Sequence, residues 1–157
     1  MAVGIERIAA YPCTLSLDMR TLAEARDHDP NHPIGELWVT SRSLNPVWED
    51  PVTMAVNAAL QVVSPADRDD IELVIVGTES SMDFGKPMST YVQRFCGITP
   101  NCRNFETKHA CFGGTAGLLN AVDWIASGSA RGRAALIVCT DIARYSLGSA
   151  GEPTQGA

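Results

Sequence analysis

The segment IELVIVGTES, residues 71–80, carries the strongest indication of the fold. Six of its first seven positions are apolar or glycine, with Glu72 as the exception. A run of this kind predicts a strand that is buried on both faces of a sheet, and the polar residues after it predict a turn. Strands buried on both faces are typical of parallel sheets, which helices cover on each side.

The same alternation continues toward the C-terminus. We predict a helix at KPMSTYVQRFCG (86–97), a strand at CRNFE (102–106), a helix at GGTAGLLNAVDWIAS (113–127), and a strand with its turn at AALIVCTDIAR (134–144). Strands that alternate with helices predict an α/β fold with a mostly parallel sheet.

The N-terminal third gives weaker patterns. VGIERIAAY (3–11) mixes apolar and polar positions as strands do, and 16–29 has helical spacing. Residues 30–50 carry several prolines and predict a loop with a short strand at 36–41. An apolar stripe after Pro51 predicts a helix within 49–63.

Length and composition narrow the class of protein. A chain of 157 residues, 45% hydrophobic and 19% charged, is typical of a single globular, soluble domain. The net charge of -6 argues against a nucleic-acid partner, because phosphate contacts need clustered Lys and Arg. There is no apolar run of about 18 residues, and charges come early, so we expect a cytoplasmic protein with no membrane partner.

The cysteines show no CxxC pair and are odd in number, which favours free thiols over disulfides or a zinc site. We expect three or four of the five to be small buried hydrophobes; they are Cys13, Cys96, Cys102, Cys111 and Cys139.

Cys111 is the cysteine with an unusual position. It directly precedes the helix predicted at 113–127, whose apolar character on every side predicts burial in the middle of a protein. Gly113 and Gly114 disfavour that helix by about 1 kcal/mol each, which is tolerable if a substrate or another backbone approaches there. Helix N–H groups would favour a thiolate and hold an oxyanion. The pattern alone leaves both a packing cysteine and a nucleophile open.

Three carboxylates follow predicted strands. Glu79 comes after LVIVG, where parallel sheets place ligand sites, and partial burial there would raise its pKa toward a range useful for proton transfer. Asp83 and Asp141 hold similar positions; a solvated loop or turn carboxylate is the alternative for all three. His109 lies two residues from Cys111, and we interpret it as structural.

Three long segments together resemble the hydroxymethylglutaryl-CoA synthase family. They are VGTESSMDFGKPMSTYV (76–92), GITPNCRNFETKHACFGGTAGL (97–118) and TDIARYSLGSAGEPTQGA (140–157). The resemblance extends from residue 3 to the end and is weakest at 28–48. It implies the thiolase fold, a five-layer αβαβα architecture in which two similar halves surround two central helices. Residues 1–157 would form the N-terminal half-domain, without its last strand or strands.

The resemblance also implies roles for five residues. Cys111 matches the nucleophile that takes an acetyl group as a thioester. Glu79 matches the general acid/base that deprotonates the acetyl methyl group for attack on a β-keto thioester. Asp83, Asp141 and Tyr145 match positions that support acetyl transfer and order the pocket. No cofactor or metal is implied, because the substrates are phosphopantetheine thioesters.

Within the family, the motifs around Glu79 and Cys111 are similar to those of polyketide β-branching members, which take acyl groups from acyl carrier proteins. Phe112 departs from the usual tyrosine and removes a hydroxyl beside the nucleophile. The rival interpretation is the mevalonate-pathway enzyme, which uses acetyl-CoA and acetoacetyl-CoA. A non-catalytic scaffolding subunit is the alternative from another class.

The family chain is more than twice this long, and its second half supplies the catalytic histidine. Neither His28 nor His32 lies in a motif that resembles that site. We therefore expect a C-terminal-half polypeptide as partner in a split or cleaved synthase, and a dimer of paired subunits. Without that partner, a sheet edge would stay unpaired and one side of the helix at 113–127 would face water.

Overall fold

The computed structural model describes residues 3–31 and 36–157. These residues form two compact units. The first contains residues 3–11 and 51–140, and the second contains the described part of 12–50 together with 141–157. Each unit has its own small sheet. His32 lies outside the described residues.

The described elements follow one another in the order β1 (Leu15–Asp18), α1 (Met19–Ala25), β2 (Ser41–Leu44), α2 (Pro51–Ala59), β3 (Ile71–Gly77), α3 (Met88–Phe95), β4 (Arg103–Thr107), α4 (Gly113–Ala126), β5 (Ala134–Cys139) and a 3-10 helix (Glu152–Thr154). The four elements predicted between 86 and 144, and the strand at 71–80, are confirmed within a few residues.

The sheet of the first unit has three strands in the order β4–β3–β5, and both pairs are parallel. β3 is central because it is the most apolar strand, and Val74, Ile75 and Val76 are fully buried. Gly77 at the end of β3 is in register with Thr107 and Cys139. The carboxyl ends of all three strands therefore lie at one edge, where parallel sheets place ligand sites.

Helices cover both faces of this sheet because side chains alternate along β3. Val74 and Val76 point into a cluster with residues of α2 and α3. Leu73 and Ile75 point to the other face, where they pack with Ala121 of α4. The first unit is thus a three-layer arrangement of helices, sheet and helix, as the α/β prediction required.

Helix α4 is not buried on all sides within this chain. Gly113, Gly117 and Ala121 are its buried residues and face the sheet. Leu118, Leu119 and Val122 are 39%, 52% and 37% exposed. One side of α4 therefore faces water in this chain alone, as expected, and its burial in the middle of the complete protein stays a prediction.

Salt bridges and caps organise the second unit. β1 and β2 pair antiparallel, and the Asp18 carboxylate caps α1 by accepting from the Thr21 N–H at 3.0 Å. Glu152 is buried, accepts from both Nε and Nη2 of Arg26, and accepts from the Gly148 N–H at 2.6 Å. The Arg26 hydrogen bond is the main reason that the pKa of Glu152 falls to about 2.

Three predictions for the N-terminal third are corrected. Residues 3–11 form no strand in the structure, and Ile5 and Ile8 are exposed. The helix predicted at 16–29 begins only at Met19, after β1. The short strand expected at 36–41 lies at Ser41–Leu44 instead, where β1 pairs with it. In the described parts of the chain, no helix is both long and apolar enough to span a membrane.

Candidate active site

Glycines bring the beginning of α4 against the ends of the strands. A Cβ atom on Gly77 would lie 2.5 Å from the backbone nitrogen of Gly114, and one on Gly114 would overlap the Cys139 sulfur. A Cβ on Gly117 would lie 3.0 Å from Cγ2 of Ile75. The sequence predicted that a substrate or another backbone approaches Gly113 and Gly114. A backbone does so at Gly113, where a Cβ would lie 3.1 Å from the Thr107 carbonyl oxygen, whereas the neighbour of Gly114 is the Cys139 side chain.

Replacing Gly77 with alanine is expected to lower the free energy of unfolding by about 3 kcal/mol, at the upper end of overpacking effects. The new methyl group meets backbone of α4, which cannot move aside as a flexible side chain does. Urea unfolding measures the change. Gly4→Ala is the control, because nothing lies within 4 Å of its Cβ position, and we expect a change below about 0.5 kcal/mol. Equal stability of the two variants would contradict the packing argument.

Cys111 lies in a tight turn directly before α4. The Phe112 N–H donates to the His109 carbonyl at 2.9 Å, and the Gly113 N–H donates to the Ala110 carbonyl at 3.2 Å. Ala110 has a φ of 42°, in the left-handed region, which costs an L-residue about 1–2 kcal/mol. The Cys111 side chain is exposed. The turn therefore presents the thiol at a helix N-terminus that has no side-chain cap.

Glu79 lies next to this turn. It follows β3 by two residues, and its Oε1 accepts a hydrogen bond from the Ala110 N–H at 2.9 Å. Ala110 directly precedes Cys111, so the structure brings the predicted nucleophile and the predicted acid/base to one edge of the sheet. The expected partial burial is wrong for the described residues, because Glu79 is exposed.

Thr107 contacts the segments that carry both side chains, and sequence reasoning missed it. Its hydroxyl donates to the Gly113 carbonyl at 2.8 Å, and its carbonyl accepts from the Thr78 N–H at 3.1 Å. Thr107 directly follows the strand predicted at 102–106, four residues before Cys111, and no sequence signal separates it from other residues near strand ends.

Asp83 orders its own loop. Its Oδ1 accepts from the N–H groups of Gly85 at 2.7 Å and Lys86 at 2.9 Å. These two backbone hydrogen bonds hold the pKa of the Asp83 carboxyl below its ordinary value, and the bond from Lys86 has the larger effect. Ser81 donates to the Asp83 carbonyl at 2.8 Å. The loop borders a cavity of about 400 Å³ that Glu106 also lines. The contacts match the turn interpretation of this residue.

Asp141 and Tyr145 belong to the second unit. Asp141 is exposed. The Tyr145 N–H donates to the Gln155 side-chain oxygen at 2.9 Å, and its ring packs against Gly151. Their roles in the pocket remain predictions.

Three of the other cysteines differ from Cys111 in exposure. Cys13 and Cys96 are buried and Cys102 is half-buried, whereas Cys139 is exposed like Cys111. Burial raises the pKa of Cys96 and Cys102 to about 11, which keeps both as neutral thiols. Cys13 and Cys96 thus behave as small buried hydrophobes, fewer than the three or four expected.

The residues beside Cys111 pack on each other. The rings of His109 and Phe112 meet edge to face, with centroids 5.3 Å apart. This contact agrees with the structural interpretation of His109.

Known proteins resemble the whole chain. A family model described as hydroxymethylglutaryl-coenzyme A synthase N terminal matches residues 2–157. A hydroxymethylglutaryl-CoA synthase of Enterococcus faecalis is 42% identical over 157 residues, which are 100% of this chain and 40% of that protein. The polyketide biosynthesis 3-hydroxy-3-methylglutaryl-ACP synthase PksG of Bacillus subtilis is 39% identical over 155 residues, 97% of this chain and 37% of that protein.

Solved structures agree with these relatives. An HMG-CoA synthase complexed with CoA has a TM-score of 0.93 and 36% identity, covering 99% of this chain and 40% of that one. The curacin biosynthetic pathway HMG synthase in complex with acetyl donor-ACP has a TM-score of 0.84 and 43% identity, and the match covers 90% of this chain and 35% of that one. This chain thus spans about 40% of the length of the curated relatives it matches. It belongs to the hydroxymethylglutaryl-CoA synthase family, as the N-terminal part of that thiolase-like α/β fold.

Proposed function

We propose that this chain carries the nucleophile and the general acid/base of a hydroxymethylglutaryl synthase that works on carrier-protein thioesters in polyketide β-branching. The observation that carries the proposal is the 2.9 Å hydrogen bond from the Ala110 N–H to Glu79, because it sets a carboxylate beside the Cys111 turn. An exposed thiol before a helix with an uncapped N-terminus supports the same chemistry.

In the proposed reaction, the Cys111 thiolate attacks the carbonyl carbon of an acetyl thioester. A new sulfur–carbon bond forms, and the donor thiol leaves with a proton. Glu79 then removes a proton from the acetyl methyl group, whose carbon attacks the keto carbon of the β-ketoacyl thioester. The keto oxygen takes up a proton and becomes a hydroxyl. Water finally hydrolyses the Cys111 thioester, releasing a carboxylate and restoring the thiol.

A thioester suits this sequence of steps, because it keeps the methyl protons acidic enough for a carboxylate to remove, where an oxygen ester would not. The N–H groups at the beginning of α4 can hold the oxyanion that develops on the thioester carbonyl. The complete activity also needs the part of the relatives that this chain does not span, and the catalytic histidine implied by the family resemblance stays a proposal there.

The second candidate is the same chemistry on CoA thioesters. Relatives named for CoA and for the carrier protein are 42% and 39% identical, so identity does not separate the two. The carrier-protein assignment draws its support from the motifs around Glu79 and Cys111, which are similar to those of the polyketide β-branching members; one relative, the curacin enzyme, has been solved in complex with acetyl donor-ACP.

The discriminating experiment offers the complete synthase acetyl-carrier protein or acetyl-CoA and weighs the peptide that contains Cys111. We expect the carrier-protein donor to acetylate Cys111 at least about 10-fold faster, a difference of about 1.4 kcal/mol in the transition state. Faster transfer from acetyl-CoA would overturn the carrier-protein assignment in favour of the second candidate. If neither donor acetylates Cys111, the catalytic proposal fails and a scaffolding role remains.

A further inference from the structure

The loop that carries Cys111 is closed by one side chain. Residues 108–112 lead from the end of β4 to the beginning of α4. At one end stands Thr107, and its hydroxyl donates to the carbonyl of Gly113 at the other end, with 2.8 Å between the oxygens. Backbone turns inside the loop run from His109 to Gly113, so the hydroxyl ties the two ends of a folded segment together.

The same residue joins this loop to the strand that leads to Glu79. The Thr107 carbonyl accepts from the N–H of Thr78 at 3.1 Å, and Thr107 is in register with Gly77. Thr78 is 2% exposed and directly precedes Glu79. Thr107 therefore contacts the segment before the acid/base and the residue that begins the helix behind the nucleophile.

A closed loop is needed because its conformation is strained. Ala110 has a left-handed φ of 42°, a region that an alanine leaves with a gain in free energy. Gly113 fits closely under Thr107, since a Cβ there would lie 3.1 Å from the Thr107 carbonyl oxygen. The free energy of one hydrogen bond is comparable to that of this strain, so the Thr107 hydrogen bond shifts how often the loop opens.

We propose that Thr107 is a positioning residue. Its hydroxyl holds the loop at residues 108–112, which carries Cys111, against the end of β3, which leads to Glu79, and so prepares the site for acetyl transfer. This inference rests on the proposed function and deepens it, because it names the group that keeps the two reacting side chains at one edge. Only the hydroxyl of Thr107 makes the hydrogen bond to Gly113, and the methyl group does not. A replacement that keeps the hydroxyl should therefore keep the loop closed, and one that removes it should open the loop.

The test compares Thr107→Val, which keeps the shape and removes the donor, with Thr107→Ser, which keeps the donor, in the complete synthase. Hydrogen exchange by mass spectrometry over residues 108–113 should be about fivefold faster in the valine variant. The kcat for acetylation of Cys111 should fall about fivefold to tenfold with an unchanged KM for the acetyl donor. The serine variant should restore both quantities.

Thr90→Val is the matched control, because the Thr90 hydroxyl lies on α3 and donates to the Asn104 side chain rather than to the Cys111 loop. It should leave exchange over 108–113 unchanged. The proposal is overturned if Thr107→Val exchanges and acetylates like the parent, or if serine fails to restore either quantity. If the parent does not acetylate at all, the proposed function fails, and hydrogen exchange alone decides whether the Thr107 hydroxyl holds the loop.

Discussion

Replacing Cys111 with alanine is expected to abolish acetylation of the protein and to lower overall condensation by about three orders of magnitude or more. No other thiol can take over, because the acetyl group must be held beside the carboxylate of Glu79, and the hydrogen bond to Ala110 fixes that carboxylate at the Cys111 turn. The measurement is the mass of the Cys111-containing peptide after incubation with an acetyl donor, together with the rate of product formation.

Cys139→Ala is the matched control, since Cys139 and Cys111 are both exposed cysteines. We expect the control to retain acetylation and condensation within about threefold, because the loss of one sulfur atom from an exposed side chain costs little stability. Cys111→Ser adds a second comparison: an oxygen nucleophile should give an ester whose methyl protons are too weakly acidic for condensation. Condensation at the parent rate by the alanine variant would show that Cys111 is not the nucleophile.

The sequence predicted β3 and β5 well because these two strands are apolar at nearly every position. β3, β5 and α4 differ from their predicted ranges only at the ends. The N-terminal third was harder to predict. Residues 3–11 have a strand-like pattern but pair with no strand among the described residues, and pairing decides whether such a segment becomes a strand. β1 lies in a segment whose spacing is helical. It forms a strand because it pairs with β2, about 26 residues later, and local spacing does not show that pairing.

The sequence indicated candidate site residues but not the contacts between them. Strand-end position made Glu79 a candidate and the approach to a glycine-rich helix made Cys111 one, while their catalytic roles came from the family resemblance and stay predictions. The role of Ala110 was not predictable, because a left-handed alanine has no sequence signal, and Thr107 looks like any strand residue. Contacts between residues about 30 positions apart depend on the tertiary fold, which periodicity does not encode.

Replacing Glu79 with glutamine is expected to separate the two roles of this side chain. The amide oxygen of glutamine can still accept from the Ala110 N–H, so the Cys111 turn should keep its conformation and acetylation should stay within about threefold. The amide cannot take a proton from the acetyl methyl group. Condensation should therefore fall by about 10²–10⁴-fold, the usual contribution of a general base.

Exchange of the acetyl methyl protons with deuterium oxide reads this step directly. The acetylated parent should incorporate deuterium, and the glutamine variant should incorporate it at least about 100-fold more slowly. Glu79→Ala should in addition slow acetylation, because nothing then accepts from Ala110 at that position. Glu106→Gln is the matched control, since Glu106 also accepts from a backbone N–H, that of Met88 at 2.7 Å, and its variant should condense normally. Deuterium uptake at the parent rate in Glu79→Gln would assign the base to another group, and the carboxylate would then serve only to hold the turn.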